Sequence, residues 1–255
     1  MAIGVQVSIL LPTFASPIAF NYSMTLLLDN RWIKAWKSPT QRAQMIIGSI
    51  LLFSTFGFLP SFFNHIEKRN GVTLNDPLLS VIPPHNVSLA IFILVWGMGI
   101  FLLIRAIKNP TIYINYTWSL LFVTVVRLIT ISLVPLNPPR GIIIISDPLT
   151  NLFYGQHIVT KDLFFSGHTS IIVLATLCLE KKMDKFIGII ATIIVASLLL
   201  VQHIHYTLDL IAAPIFAYLL FRLAKLVLQK VDNPFAKPDS LSKTTIKAKS
   251  ASTCF

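Results

Sequence analysis

Two short segments hold the residues best suited to cleaving a phosphate ester: Asp162-Leu163-Phe164-Phe165-Ser166-Gly167-His168-Thr169 and His205-Tyr206-Thr207-Leu208-Asp209. On a helix, positions 205 and 209 are one turn apart and face the same way, so the Asp209 carboxylate can hold and polarise the His205 imidazole. His168 is then a second, separate proton carrier. Ser166 and Gly167 open an apolar run, and a helix start there presents unpaired backbone N–H groups to an anion such as phosphate. Asp162 reads as a helix cap beside the substrate.

Other candidates carry a blander alternative. His203 and His205 could be two zinc ligands, but alternate residues on a helix point apart and no third ligand is evident. No metal and no cofactor is therefore expected. His65 and His157 read as solvated loop residues. Arg127 lies in an apolar segment, where a charge costs roughly 2.5–3.5 kcal/mol at mid-depth. It either snorkels to the interface or contacts phosphate, and the second is the expectation taken forward.

These residues are embedded in a chain far too apolar for an ordinary soluble domain. Of its 255 residues 55% are hydrophobic and only 12% charged, with a mean hydropathy of +0.74; this is the composition of an integral membrane protein. The net charge of +11 could suggest nucleic-acid binding, yet the basic residues are spread through inter-span loops and the tail rather than along one face. No nucleic-acid partner is expected. Two cysteines, Cys178 and Cys254, support neither a disulfide framework nor a thiolate metal site.

Crossing roughly 30 Å of hydrocarbon predicts spans at about 45–64, 88–107, 113–134, 166–180, 186–203 and 207–228. The fold class is thus all-α, a polytopic membrane helical bundle with a six-helix core. Spans 166–180 and 186–203 are short, as expected if their outer ends open into a polar cavity. Residues 1–44 form an N-terminal segment in which 5–28 is an extra span or an interfacial helix. Residues 45–232 are the catalytic domain, and 233–255, rich in Lys, Ser and Thr, read as a disordered basic tail. Lys and Arg accumulate in cytoplasmic loops. Sixteen of the twenty-one fall before the first span, between the second and third, between the fourth and fifth, or from the end of the sixth onward. Lys68, Arg69, Arg140 and Lys161 occupy the opposite loops. The N-terminal basic segment and the tail are accordingly expected in the cytoplasm, with the histidine chemistry on the exoplasmic (lumenal or periplasmic) face.

The Ser-Gly-His and His-x-x-x-Asp motifs resemble the type 2 phosphatidic acid phosphatase superfamily, and in detail its sphingomyelin synthase branch. That branch carries Asp-x-x-x-Ser-Gly-His-Thr and His-Tyr-Thr-x-Asp, matched here at 162–169 and 205–209. Arg127, Thr130, Pro135 and Pro138 look like its Arg- and Pro-containing block, and Asp76-Pro77-Leu78 with Pro83 and Pro84 like its first-loop block. Thr160 and Lys161 stand where the branch usually has Cys-Gly. Leu198 and Leu199 stand where the wider family's phosphatases have Ser-Arg. The resemblance implies a double displacement in which His205 attacks phosphorus, Asp209 stabilises the imidazolium and His168 protonates the departing oxygen. It places Arg127, Asp162, Ser166, Gly167 and Tyr206 at the substrate. The implied partners are a phosphatidylcholine- or phosphatidylethanolamine-type phospholipid donor and a lipid-alcohol acceptor such as ceramide. Without the phosphatases' Arg, a singly charged diester is favoured over a monoester. The alternative is a lipid phosphate phosphatase or a phospholipase C-like hydrolase.

Overall fold

The computed structural model describes residues 30–144 and 159–232. The proposed segment 5–28, the tail 233–255 and His157 lie outside them. Among these described residues eight helices follow one another: α1 (Asn30–Lys37), α2 (Pro39–Glu67), α3 (Pro77–Val81), α4 (Ser88–Lys108), α5 (Pro110–Leu133), α6 (Gly167–Cys178), α7 (Lys182–Val201) and α8 (Thr207–Asp232). Among the described residues the β-structure is one isolated bridge, Val72 with Leu136, which ties the loop after α2 to the loop after α5.

The helix starts follow from a repeated local grammar. Ser38-Pro39, Asp76-Pro77 and Asn109-Pro110 each put a capping side chain before a proline at the first helical position. The cap oxygen accepts an orphan amide, and proline loses nothing where no intrahelical bond was available.

Helices α2, α4, α5, α7 and α8 are long and apolar enough to cross a membrane, and the chain is an all-helical polytopic membrane bundle. Large aliphatic and aromatic side chains such as Ile50, Phe53, Ile93, Ile100, Phe186, Ile193, Ile211 and Ile215 point outward, an arrangement stable against lipid rather than water. The first predicted span begins earlier than expected, at Pro39, because Ser38 caps it. The span predicted at 186–203 is a full 20 residues, Lys182–Val201, so its expected shortness is not found. Only α6 is short. Its 12 residues rise about 18 Å, and it is packed among α4, α5, α7 and α8, with Ile172, Leu174 and Ala175 deep in the core. A short central helix leaves its N-terminus recessed inside the bundle, at the end where α7 finishes and α8 begins.

Candidate active site

Helix α7 ends in a left-handed turn. His203 has φ 55°, its amide donates to Leu200 O (2.9 Å) and that of Ile204 to Leu199 O (3.1 Å). This is the double bond pattern that normally closes on glycine. A histidine stands there because both its ring nitrogens are used: Nδ1 lies 2.9 Å from Arg140 O and Nε2 2.9 Å from Ile82 O. His203 thus ties two loops to the end of α7 and has no ring nitrogen left for zinc. Gln202 works beside it, accepting from the Val87 amide (3.2 Å) and donating to Ser88 Oγ (2.7 Å).

His205 and Asp209 are brought together, though not as predicted on a continuous helix. Helix α8 starts only at Thr207, so His205 sits in the turn before it. Contact survives because the Asp209 carboxylate reaches back over the first turn: Oδ2 accepts from the Tyr206 amide at 3.2 Å and lies 3.4 Å from His205 Nδ1. This is the backward half of a capping box, with Asp in the third helical position. A carboxylate can only accept, which assigns the shared proton to Nδ1 and leaves the Nε2 lone pair available. Both side chains are buried, at 2% and 0% exposure. Asp209 Oδ1 has no hydrogen-bond partner, an expensive state in a low-dielectric interior that a substrate or water can relieve.

The Ser-Gly-His turn is fastened to this pair. Ser166 caps α6, its Oγ accepting from the Thr169 amide at 3.3 Å, and its own backbone N–H donates to Asp209 O at 3.1 Å. The two helix starts carrying His168 and Asp209 are thereby held side by side. His168, in the first turn of α6, is half-buried. The cap of α6 is Ser166 and not Asp162, a correction to the sequence reading. Asp162 lies four residues earlier and pairs with Arg127.

Arg127 does not snorkel. Its side chain is 11% exposed and turns into the bundle, pairing with Asp162 while Nε donates to Phe165 O at 3.3 Å. Glycine at 167 follows directly: a Cβ there would fall 2.6–2.9 Å from the guanidinium atoms. The approach to Ser166 is strained, with Phe164 and Phe165 both left-handed at φ 69° and 41°, a conformation costing roughly 1–2 kcal/mol per non-glycine residue. Phe165 stacks on Phe216 of α8 at 4.7 Å and 2°, and Phe164 meets the same ring edge-on. These contacts hold the strained turn in place.

Tyr206 supports the site from behind. It is fully buried, its hydroxyl donating to Asn137 O (2.9 Å) and accepting from the Leu74 amide (3.1 Å). This hydroxyl is committed to two loops. Burial pushes the Tyr206 phenol up, which keeps it a donor.

Two acidic residues that organise the site were missed as such by the sequence reading. Glu67, at the end of α2, accepts from the Thr160 amide (2.6 Å), Thr160 Oγ1 (2.9 Å) and the Lys161 amide (2.7 Å). Lys161 Nζ in turn donates to Glu67 O (2.9 Å). Thr160 and Lys161 are what anchor the loop. Asp76 caps α3 through the Leu78 and Leu79 amides and also accepts from Thr207 N (2.7 Å) and Oγ1 (3.0 Å). Burial raises the Asp76 carboxyl, but the bonds from Thr207, Leu79 and Leu78 outweigh it and hold the group below the ordinary carboxylate range. The available signal was scarcity: the chain has ten acidic residues, and these two lie at the end of α2 and in the segment that follows it. Asn75, Asp76, Ser80, Arg140 and Tyr206 line a polar cavity of about 240 Å³.

Residues 161–226 match the family model described as PAP2 superfamily C-terminal. The matched segment contains α6, α7 and most of α8, with both histidine motifs. It supports a phosphoryl-transfer lipid enzyme of that superfamily. No curated protein matches the chain.

Proposed function

We propose that the protein moves a phosphocholine or phosphoethanolamine head group from a glycerophospholipid to a lipid alcohol such as ceramide, as sphingomyelin synthase-like enzymes do. The observation carrying this choice is that the arginine packed against the Ser-Gly-His turn is already paired with a carboxylate. Asp162 offsets the charge of Arg127, which leaves a field matched to a singly charged diester better than to a phosphate monoester near two charges. Leu198 and Leu199 point the same way. Leu199 is wholly buried in the apolar core, where the phosphatases carry a cation.

In this mechanism His205 Nε2 attacks phosphorus and the bond from phosphorus to the diacylglycerol oxygen breaks. His168 gives that oxygen its proton, and the Asp209 carboxylate stabilises the charge developing on the imidazole through Nδ1–H. The 3.4 Å contact is long for a hydrogen bond and tightens as that charge grows. In the second half His168 takes the proton of the acceptor hydroxyl, whose oxygen attacks phosphorus and releases His205. Arg127 holds the non-bridging oxygens while sharing Asp162. Water reacts more slowly than a bound alcohol, which gains from proximity. The site faces the exoplasmic leaflet, a placement supported by the accumulation of lysine and arginine at the opposite end of the bundle.

The test compares phosphatidic acid, phosphatidylcholine and phosphatidylethanolamine as donors in one liposome system, with and without ceramide. The diesters should react, and ceramide should yield a new phosphosphingolipid. Preference for phosphatidic acid with no product from ceramide would replace the transferase with a phosphatase.

A further inference from the structure

The end of the bundle opposite His205 holds a second polar cavity, of about 260 Å³, where α1, the turn between α4 and α5, and the turn between α6 and α7 meet. Four cations and two carboxylates line it: Arg31, Arg105, Lys108 and Lys181 against Glu180 and Asp184. Both carboxylates are committed. Asp184 is gripped by Arg105 through Nη2 to Oδ1 (2.8 Å) and Nε to Oδ2 (2.7 Å). Glu180 Oε1 accepts from Asn109 Nδ2 at 2.6 Å. Lys108 and Lys181 are exposed and enter no ion pair among the described residues. The charge left for a ligand is therefore positive, and the volume suits a head group, below the roughly 300–1,000 Å³ typical of larger small-molecule clefts.

The depth of the cavity identifies the source of such an anion. The Trp32 indole of α1 donates to Ile107 O at 2.7 Å, fixing a short helix rich in tryptophan and lysine against the end of α4. Ile33 and Trp36 on that helix are exposed, the pattern of an element lying at a membrane interface. Below the cavity, Ile104 and Ile107 of α4 and Met183 and Ile187 of α7 face outward. They form apolar walls that acyl chains can follow. We infer that this cavity binds the phosphate of an anionic phospholipid in the leaflet opposite the catalytic one, with Lys108 and Lys181 as the principal contacts. The site is separate from the catalytic end and does not depend on the reaction proposed above.

The experiment titrates phosphatidylglycerol into the full-length protein in neutral detergent and follows lipid-bound species by native mass spectrometry. Lys108→Gln with Lys181→Gln should weaken binding about thirty-fold, from roughly 1 kcal/mol per basic contact. Lys108→Arg with Lys181→Arg should retain it, which separates loss of charge from misfolding. Lys225→Gln with Lys230→Gln removes the same charge near the same end but outside the cavity, and should change binding by less than about three-fold. Equal losses in the two Gln pairs, or none in either, would overturn the site. Inorganic phosphate binding with the same dependence on Lys108 and Lys181, while phosphatidylglycerol shows none, would overturn the lipid assignment and make the free anion the ligand.

Discussion

The backbone amide of Ser166 donates to the carbonyl of Asp209 across 3.1 Å, joining two motifs 43 positions apart in the chain. Because Ser166 caps α6 and Asp209 lies in the first turn of α8, this one bond fixes the relative position of the helix starts that carry the proposed acid–base and nucleophilic histidines. The strained Phe164-Phe165 turn and its stack on Phe216 secure the same junction from the other side.

Gly167→Ala tests whether Arg127 must sit where it does. The added methyl would meet a guanidinium already held by Asp162 and Phe165 O, so the arginine has to move. Misplacement on the order of 1 Å can cost about a hundredfold in rate. Turnover should fall by roughly ten- to a hundredfold while the protein still inserts and its helix content is unchanged. Wild-type turnover would show that Arg127 is not needed in this position.

Much of this geometry was legible in the sequence and some was not. The apolar spans and the two histidine motifs depend on residues close together in the chain, and the structure brings the two motifs to one place. The helical spacing of His205 and Asp209 led to the right contact by the wrong local structure, because the left-handed turn at His203 delays α8 to Thr207. The partners of Asp162, Glu67 and Tyr206 lie 35, 93 and 69 or more positions away. Periodicity and capping rules act over a few residues and cannot find such partners.

Asp76→Asn should lower stability at neutral pH by about 1–2 kcal/mol, since a hydrogen bond to a charged group contributes roughly 1.5–3 kcal/mol. The amide keeps one acceptor oxygen for the cap of α3, but its NH2 group cannot accept as the second carboxylate oxygen does from Thr207. The carboxyl is held below its ordinary range in the fold. Its contribution is therefore present above the unfolded-state pKa and disappears as pH falls through the folded one. Thermal unfolding of both proteins along a pH series reads this directly. The gap should be widest near neutrality and close in acid, and a gap independent of pH would refute the role of the ionised group.

Topology is open to a labelling experiment. In a background of Cys178→Ala and Cys254→Ser, cysteines introduced at Val81, the exposed last residue of α3, and at Lys182, at the basic end, should react with an impermeant maleimide from opposite sides of sealed vesicles. Val81→Cys should label from the exoplasmic side. Labelling of both from one side would contradict the bundle's orientation and the exoplasmic site.

The most direct measurement concerns a covalent bond on His205. Protein in liposomes is given phosphatidylcholine labelled in its head group, without ceramide, then quenched in base and analysed by peptide mass spectrometry. Phosphocholine should appear on His205, should be discharged when ceramide is added before the quench, and should be absent from His205→Ala, which should also lack turnover. Near-normal turnover by His205→Ala would contradict the mechanism.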